Sequence, residues 1–310
     1  MLVYPAFFSF SQLHILQHFQ TIEMAGGRYR NCTKVSLECP IDAQLYGYAP
    51  NLAANLFFTL FFGVATIIQL IVGIRHRTWF FMAVVSFGCL SECVGYAGRV
   101  IMHYNVWNDI GFNMQIDCLI QGPAYYSAGI YLTLKHIVLN IDPKYSRVKA
   151  AWYTWIFISG DAISLCVQAV GGGIAAANKG KLLSTGTDIM IGGIVFQVVV
   201  LIIFGYLLLE YFTRVLRHRS ELSLQALATI ESHQFRWFMG AIVVAFLAIF
   251  IRCTYRIPEL LEGWGSPLMR EELPFIILEG VMICISTIAL TLFHPAWFFP
   301  VMASSPIARK

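Results

Sequence analysis

Long apolar runs alternate with short polar connectors along nearly the whole chain. Seven runs stand out: Pro50–Ile74, Trp79–Ile101, Ile116–Leu139, Trp152–Ala176, Ile189–Phe212, Phe238–Ile257 and Leu273–Phe293. Each is close to the ~20 residues a helix needs to cross the hydrocarbon core of a bilayer. The apolar positions are continuous rather than alternating, so they predict helices and not the strands of a barrel. The expected fold class is all-α, a polytopic bundle of seven transmembrane helices in one domain. A tail over 1–47, the bundle over 48–295 and a short tail over 296–310 are the expected divisions. The chain shows no convincing internal repeat.

Composition supports this class. Hydrophobic residues make up 58% of the 310 positions and charged residues 12%, against roughly a quarter charged in a soluble domain. Disorder is excluded. The net charge of +4 gives no reason to expect a nucleic-acid partner, and its distribution carries more information. Arg75, Arg77, Lys144, Arg147, Lys149, Arg214, Arg217, Arg219, Arg236, Arg309 and Lys310 fall on one side of the expected bundle. Only Arg28, Arg30, Lys34, Lys179, Lys181 and Arg270 fall on the other. The positive-inside rule puts the first side in the cytosol, so the N-terminus is expected outside and the C-terminus inside. Asn31-Cys32-Thr33 is an N-glycosylation sequon in the expected outer tail. Cys32 and Cys39 flank that segment, either bridged in an oxidising compartment or as two free thiols. No Cys-x-x-Cys or Cys/His grouping suggests a metal site, and no cofactor is expected. Met1–Phe19 is partly apolar but is interrupted by Gln12, His14, Gln17 and His18. It lacks the basic start of a signal peptide, and Met24 offers an alternative beginning.

Charges inside the runs point to function, since an ionisable group in lipid is costly unless paired or hydrated. The second run carries Glu92-x-x-Gly95-Tyr96-x-x-Arg99. Seven residues separate Glu92 from Arg99, about 10 Å along a helix, so each should find its partner on another helix. The fourth run carries Asp161-x-x-Ser164-x-x-x-Gln168-x-x-Gly171, a polar stripe at helical spacing. Arg252-x-x-Tyr255-Arg256-x-x-Glu259 closes the sixth, and Glu279 lies in the seventh. Pro123 should kink the third run, because proline lacks a backbone donor. At about 1.5 Å per residue, these groups gather in the outer half, with Asp161 deepest. Two readings follow: an ion-pair network that locks the helices, or an outward-opening polar pocket for a charged head group.

These patterns, in this order, resemble the fungal RTA-like family, also called the lipid-translocating exporter family (resistance to aminocholesterol type). The resemblance begins at Tyr48-x-Pro50 and Asn55 and ends at His294-Pro295. It implies a seven-helix protein of the plasma membrane or endomembranes. Family members are linked to release of sphingoid long-chain bases, to resistance against toxic amphiphiles and, in one branch, to porphyrin movement. The seventh helix departs from the pattern: Glu279 and Phe275 stand where an aspartate and a tyrosine are usual. The candidate substrate-binding set is Glu92, Tyr96, Arg99, Asp161, Ser164, Gln168, Arg252, Tyr255, Arg256 and Glu279.

Three functions were weighed. A translocator of amphiphilic lipids, with membrane lipids and an amphiphilic small molecule as partners, would pair a cargo ammonium with Glu92, Asp161 or Glu279. A receptor-like sensor or regulator would alter lipid asymmetry or stress resistance without moving lipid. An intramembrane zinc hydrolase is disfavoured: His103, His136 and His294 lie at helix ends on different sides and cannot converge on one ion. The chain is therefore expected not to be an enzyme.

Overall fold

A computed structural model describes residues 32, 34–177 and 181–298. The sequon Asn31, the segment Met1–Phe19, Met24 and the last residues of the C-terminal tail lie outside the described residues. Within them the chain is helical and contains no strand.

Seven long helices follow one another: α1 (Leu52–His76), α2 (Trp79–Tyr104), α3 (Asp109–Ile141), α4 (Ala150–Ala177), α5 (Lys181–Arg217), α6 (His233–Leu261) and α7 (Glu272–Phe298). Six of the expected runs lie wholly within them, and the first, Pro50–Ile74, does so from Leu52 onward. Six are long and apolar enough to cross a membrane; α3 is the exception. It carries Asp109, Asn113, Gln115, Asp117 and Gln121 in its first half. Protein rather than lipid surrounds most of it, for Phe112, Leu119, Tyr126, Tyr131, Leu134 and Ile137 are all buried.

Local chemistry sets the helix ends. The Asn51 side chain accepts from the Ala54 amide and starts α1, Asn108 does the same for α3 through Gly111, and Ser232 caps α6 through Phe235. Each satisfies a backbone donor that a helix start leaves open. Arg77 closes α1 in the left-handed conformation, φ 56°, which turns the chain back at once into α2. A short helix, Leu224–Glu231, bridges α5 and α6.

Short connections make successive helices antiparallel. Residues 34–51 and the start of α1 define one face of the bundle, called here the N-terminal face. On α1 the two sides of the helix differ. Phe58, Phe62, Ala65 and Gln69 are buried, while Leu56, Phe57, Leu60, Val64, Ile67 and Ile71 are exposed. An exposed apolar side on a long helix is a lipid-facing side. Trp79, Trp152, Trp155, Trp237 and Trp297 are all about half exposed near helix ends, where amphipathic rings meet an interface.

The half away from the N-terminal face is held by aromatic packing. Phe204 of α5 sits 4.5 Å from Tyr131 of α3, 5.2 Å from Phe157 of α4 and 5.7 Å from Phe246 of α6, centroid to centroid. The polar loops at that end carry ion pairs. Glu210 binds Arg147 at 2.7 Å and Arg214 at 2.5 Å, and Arg219 meets Glu231. Arg147, Arg214 and Arg219 are thus already paired within the chain.

A buried charged centre as the candidate functional site

The centre begins with a proline. Pro123 lacks the N–H that would close the α-helical bond to Leu119, four residues earlier. The freed Leu119 carbonyl accepts from Arg252 Nη2 of α6. The same guanidinium nitrogen donates to Glu279 Oε1 of α7 at 2.6 Å and lies 3.7 Å from Glu92 Oε1 of α2. Four helices meet on one side chain. Arg252, Glu92 and Glu279 are 2%, 0% and 1% exposed.

Two further features seat the carboxylates. Gly122 lies directly against Glu92, and a Cβ there would stand 2.0 Å from Glu92 Oε1. Glu279 lies in a π-helical stretch, Phe275–Val281, within α7. Such stretches re-aim side chains and recur at functional sites. Glu279 has one bonded oxygen; both oxygens of Glu92 lack a hydrogen bond. Tyr96, one turn beyond Glu92, is buried against Phe58 and Phe62 with its hydroxyl unpaired.

Charge balance is unequal among the clusters. Two carboxylates share Arg252, which leaves a formal excess of one negative charge. Arg256 pairs with Glu259 at 2.8 Å. Arg99 pairs with Glu272 at 3.4 Å and is also held by Asn55 Oδ1 at 3.0 Å and the Tyr48 hydroxyl at 3.2 Å. The Phe275 ring lies 4.0 Å beneath the Arg99 guanidinium, so this departure from tyrosine keeps an aromatic face for the cation. Glu92 and Arg99 do take separate partners, as their spacing requires.

Ser164 and Gln168 stand apart from this centre. Ser164 Oγ donates to the Gly193 carbonyl at 2.7 Å, and Gln168 Nε2 donates to Ser164 Oγ and to Gln197 Oε1. These bonds fasten α4 to α5. Gln168 returns to the charged region at one place, a small cavity of about 20 Å³ lined by Pro123, Gln168, Gln197, Arg252, Cys253 and Arg256 among others. It has room for roughly one water. Tyr255 is buried, its hydroxyl without a partner. Asp161 is 3% exposed and makes no ion pair among the described residues.

The N-terminal face is covered. Gln44 and Tyr46 are buried, Tyr46 accepts from Gln115 Nε2 at 2.7 Å, and the Asn51 amide donates to Glu272. Burial drives the Tyr46 and Tyr48 hydroxyls well up from the usual tyrosine range, against the opposing pull of Arg99. Cys32 and Cys39 form a disulfide, Cα atoms 6.1 Å apart, at the edge of this cover. Of the two readings of the sequence, the polar pocket finds no opening at the N-terminal face among the described residues, because this segment covers it.

Sequence reasoning missed the Leu119 carbonyl, Gly122, Gln197, Glu272 and the role of Tyr46. Pro123 was the available signal for the first, since a proline always frees the carbonyl four residues before it. For Tyr46 and Glu272 no comparable signal exists.

Six helices suited to crossing a membrane, gathered around desolvated ion pairs, define a multi-pass α-helical membrane protein. The chain belongs to the RTA1-like family, whose model, described as "RTA1 like protein", matches residues 85–302. Among its relatives is "Sphingoid long-chain base transporter RSB1" of Saccharomyces cerevisiae (strain ATCC 204508 / S288c). It is 32% identical over 286 residues, which cover 83% of this chain and 75% of that one. "Protein RTM1" of Saccharomyces cerevisiae is 27% identical over 207 residues, 65% of this chain and 63% of the other. "Protein RTA1" of strain ATCC 204508 / S288c is 25% identical over 263 residues, 77% and 80% of the two chains. No solved structure matches the chain.

Proposed function

We propose that this protein translocates cationic amphiphiles, sphingoid long-chain bases foremost, across the plasma membrane. All seven long helices span the bilayer in this reading, α3 included, with the N-terminal face outside and the C-terminus in the cytosol. The protein carries out no covalent chemistry.

One observation carries the reading: two fully buried carboxylates share one guanidinium. A lone ammonium is the charge that would balance this centre. Glu92 is the group available to it, because Arg252 is bonded to Glu279 and the Leu119 carbonyl but only approaches Glu92. An entering ammonium would take over Glu92 while Arg252 keeps its other two partners. The lipid tail would lie between helices, where apolar surface is already exposed. Tyr96 and the Arg256 side of the cavity would border the head group, and Arg99 would mark its outer exit. The relative named for sphingoid long-chain base transport supports the cargo class.

A receptor-like reading draws on the shut N-terminal face and the water-sized cavity. Liposomes separate the two. Purified protein should speed transbilayer movement of a fluorescent sphingoid base at least tenfold over protein-free vesicles, and Glu92→Gln should return the rate to background while remaining folded. Folded wild-type protein that leaves the rate unchanged would sink the translocator reading and favour a sensor.

A further inference from the structure

Asp161 lies on α4, about 16 Å along the helix from Ala150 and one turn beyond Phe157. Neither of its carboxyl oxygens has a hydrogen-bond partner, although the residue is 3% exposed. Tyr131 of α3 faces it, and Ser127 stands one turn from Tyr131 on the same helix. The Tyr131 hydroxyl and the Ser127 Oγ are also buried; the hydroxyl lies within reach of both Asp161 and Ser127, but none of the three groups makes a bond of full hydrogen-bond geometry. On α6 the neighbouring titratable group is the Cys253 thiol. From α5, Val200 packs against Gly160 beside it. Tyr131 and Cys253 are thus the titratable groups around Asp161. No Lys, Arg or His among the described residues acts on its carboxyl, and Arg252, although adjacent to Cys253 in sequence, is committed to Glu279 and Leu119.

Three oxygen-bearing side chains that approach one another in one dry place without a well-formed bond need an explanation, because buried polar groups are nearly always bonded. A bare carboxylate without a cation is the costliest of them. A proton removes the charge and adds the missing donor, after which a carboxylic acid and two hydroxyls can satisfy one another in sequence. It also needs no space, and the small cavity lies elsewhere, lined by Arg252 and Arg256. A metal cation fits poorly: one carboxyl is its sole anionic ligand here.

We propose that Asp161, Tyr131 and Ser127 form a proton-binding site, separate from the charged centre, whose loading and unloading switches the bundle between its shut and open states. In the shut state the proton resides on Asp161. Its loss to water leaves a carboxylate between α3 and α4, and hydrating that charge draws water between the two helices. The coupling to cargo rests on the transport reading above; the proton chemistry does not.

Two measurements test it. In liposomes carrying wild type, an imposed pH gradient should change the rate of fluorescent sphingoid-base movement several-fold, and a protonophore should abolish the change. Asp161→Asn, whose side chain is fixed in the uncharged form, should lose the response. A wild type indifferent to the gradient, or an Asp161→Asn variant that still responds, overturns the coupling. The second measurement is infrared difference spectroscopy of purified protein between acid and alkaline buffer, without lipid cargo. Wild type should show a protonated-carboxyl band that Asp161→Asn lacks and that Tyr131→Phe shifts in frequency. Identical carboxyl bands in wild type and Asp161→Asn overturn the site itself. Should wild type move no base, the transport reading fails and the infrared result alone decides the proton site. Should Asp161→Asn not fold, an unmoved band in Tyr131→Phe overturns the proposal.

Discussion

The two halves of the bundle are built on different physics. Away from the N-terminal face, Tyr131, Phe157, Phe204 and Phe246 interlock, and the ion pairs lie at the helix ends and in the connecting loops. Toward the N-terminal face, Glu92, Arg252 and Glu279 are as buried as the aromatic rings. The first half is stabilised by contact area, which tolerates adjustment. The second depends on charge balance, where removing one partner strands the rest. A structure that needed only rigidity could have used the first device throughout. The unbalanced charged centre at the meeting of four helices is the feature on which the proposed function rests.

The sharpest way to break this comparison is Arg252→Ala. It leaves two buried carboxylates without a cation, a loss of about 3–5 kcal/mol for a buried pair. Thermal unfolding in detergent should show most of the protein failing to reach the native state. Phe204→Ala attacks the other half, at a cost of about 3–5 kcal/mol where the cavity fails to collapse. Its effect should be the smaller of the two and should leave transport per folded molecule unchanged. Equal loss of specific transport in both variants would erase the distinction between the halves.

Gly122→Ala comes next. The added methyl displaces the Glu92 carboxyl, and overpacking of this kind costs about 1–3 kcal/mol. Stability should fall modestly while base movement falls far more, a ratio that Phe204→Ala should reverse. Pro123→Ala restores an N–H that competes with Arg252 for the Leu119 carbonyl. It should leave stability within about 1 kcal/mol, the net worth of one hydrogen bond, and still slow base movement.

The smallest effect belongs to the loop pairs. A hydrogen bond from Tyr145, together with Lys144, holds the Glu221 carboxyl below its ordinary range. A lowered carboxylate stabilises the fold above its unfolded pKa, and that contribution is lost as pH falls through the folded value. Thermal scans of wild type against Glu221→Gln should therefore diverge slightly at neutral pH and converge below roughly pH 4, with salt shrinking the difference because the pair is exposed.

The apolar runs made the helices legible, since lipid leaves few other ways to satisfy a backbone. Spacing alone separated Glu92 from Arg99. Partner identities were hidden because they depend on register across helices far apart in sequence. Glu279, which Arg252 binds, lies in a π-helical stretch of α7, and the Leu119 carbonyl that it also binds is the one Pro123 leaves free. Residues 44–47 read as tail, yet Tyr46 closes over Arg99 beside Tyr48, because its ring buries more surface against the bundle than a tail of that length would suggest. The α3 helix reads as less apolar than its neighbours for the opposite reason: protein surrounds it, and its polar groups face partners such as Tyr46 rather than lipid.

The most direct test asks whether the charged centre recognises an ammonium. Binding of a free sphingoid base and of its N-acetylated, uncharged form should be measured on purified wild type and on Glu92→Gln. Wild type should prefer the free base by at least tenfold, about 1.4 kcal/mol, and Glu92→Gln should bind the two forms alike. Equal binding of both forms by wild type, or an undiminished preference in Glu92→Gln, would contradict the assignment of Glu92 and its shared arginine as the head-group site.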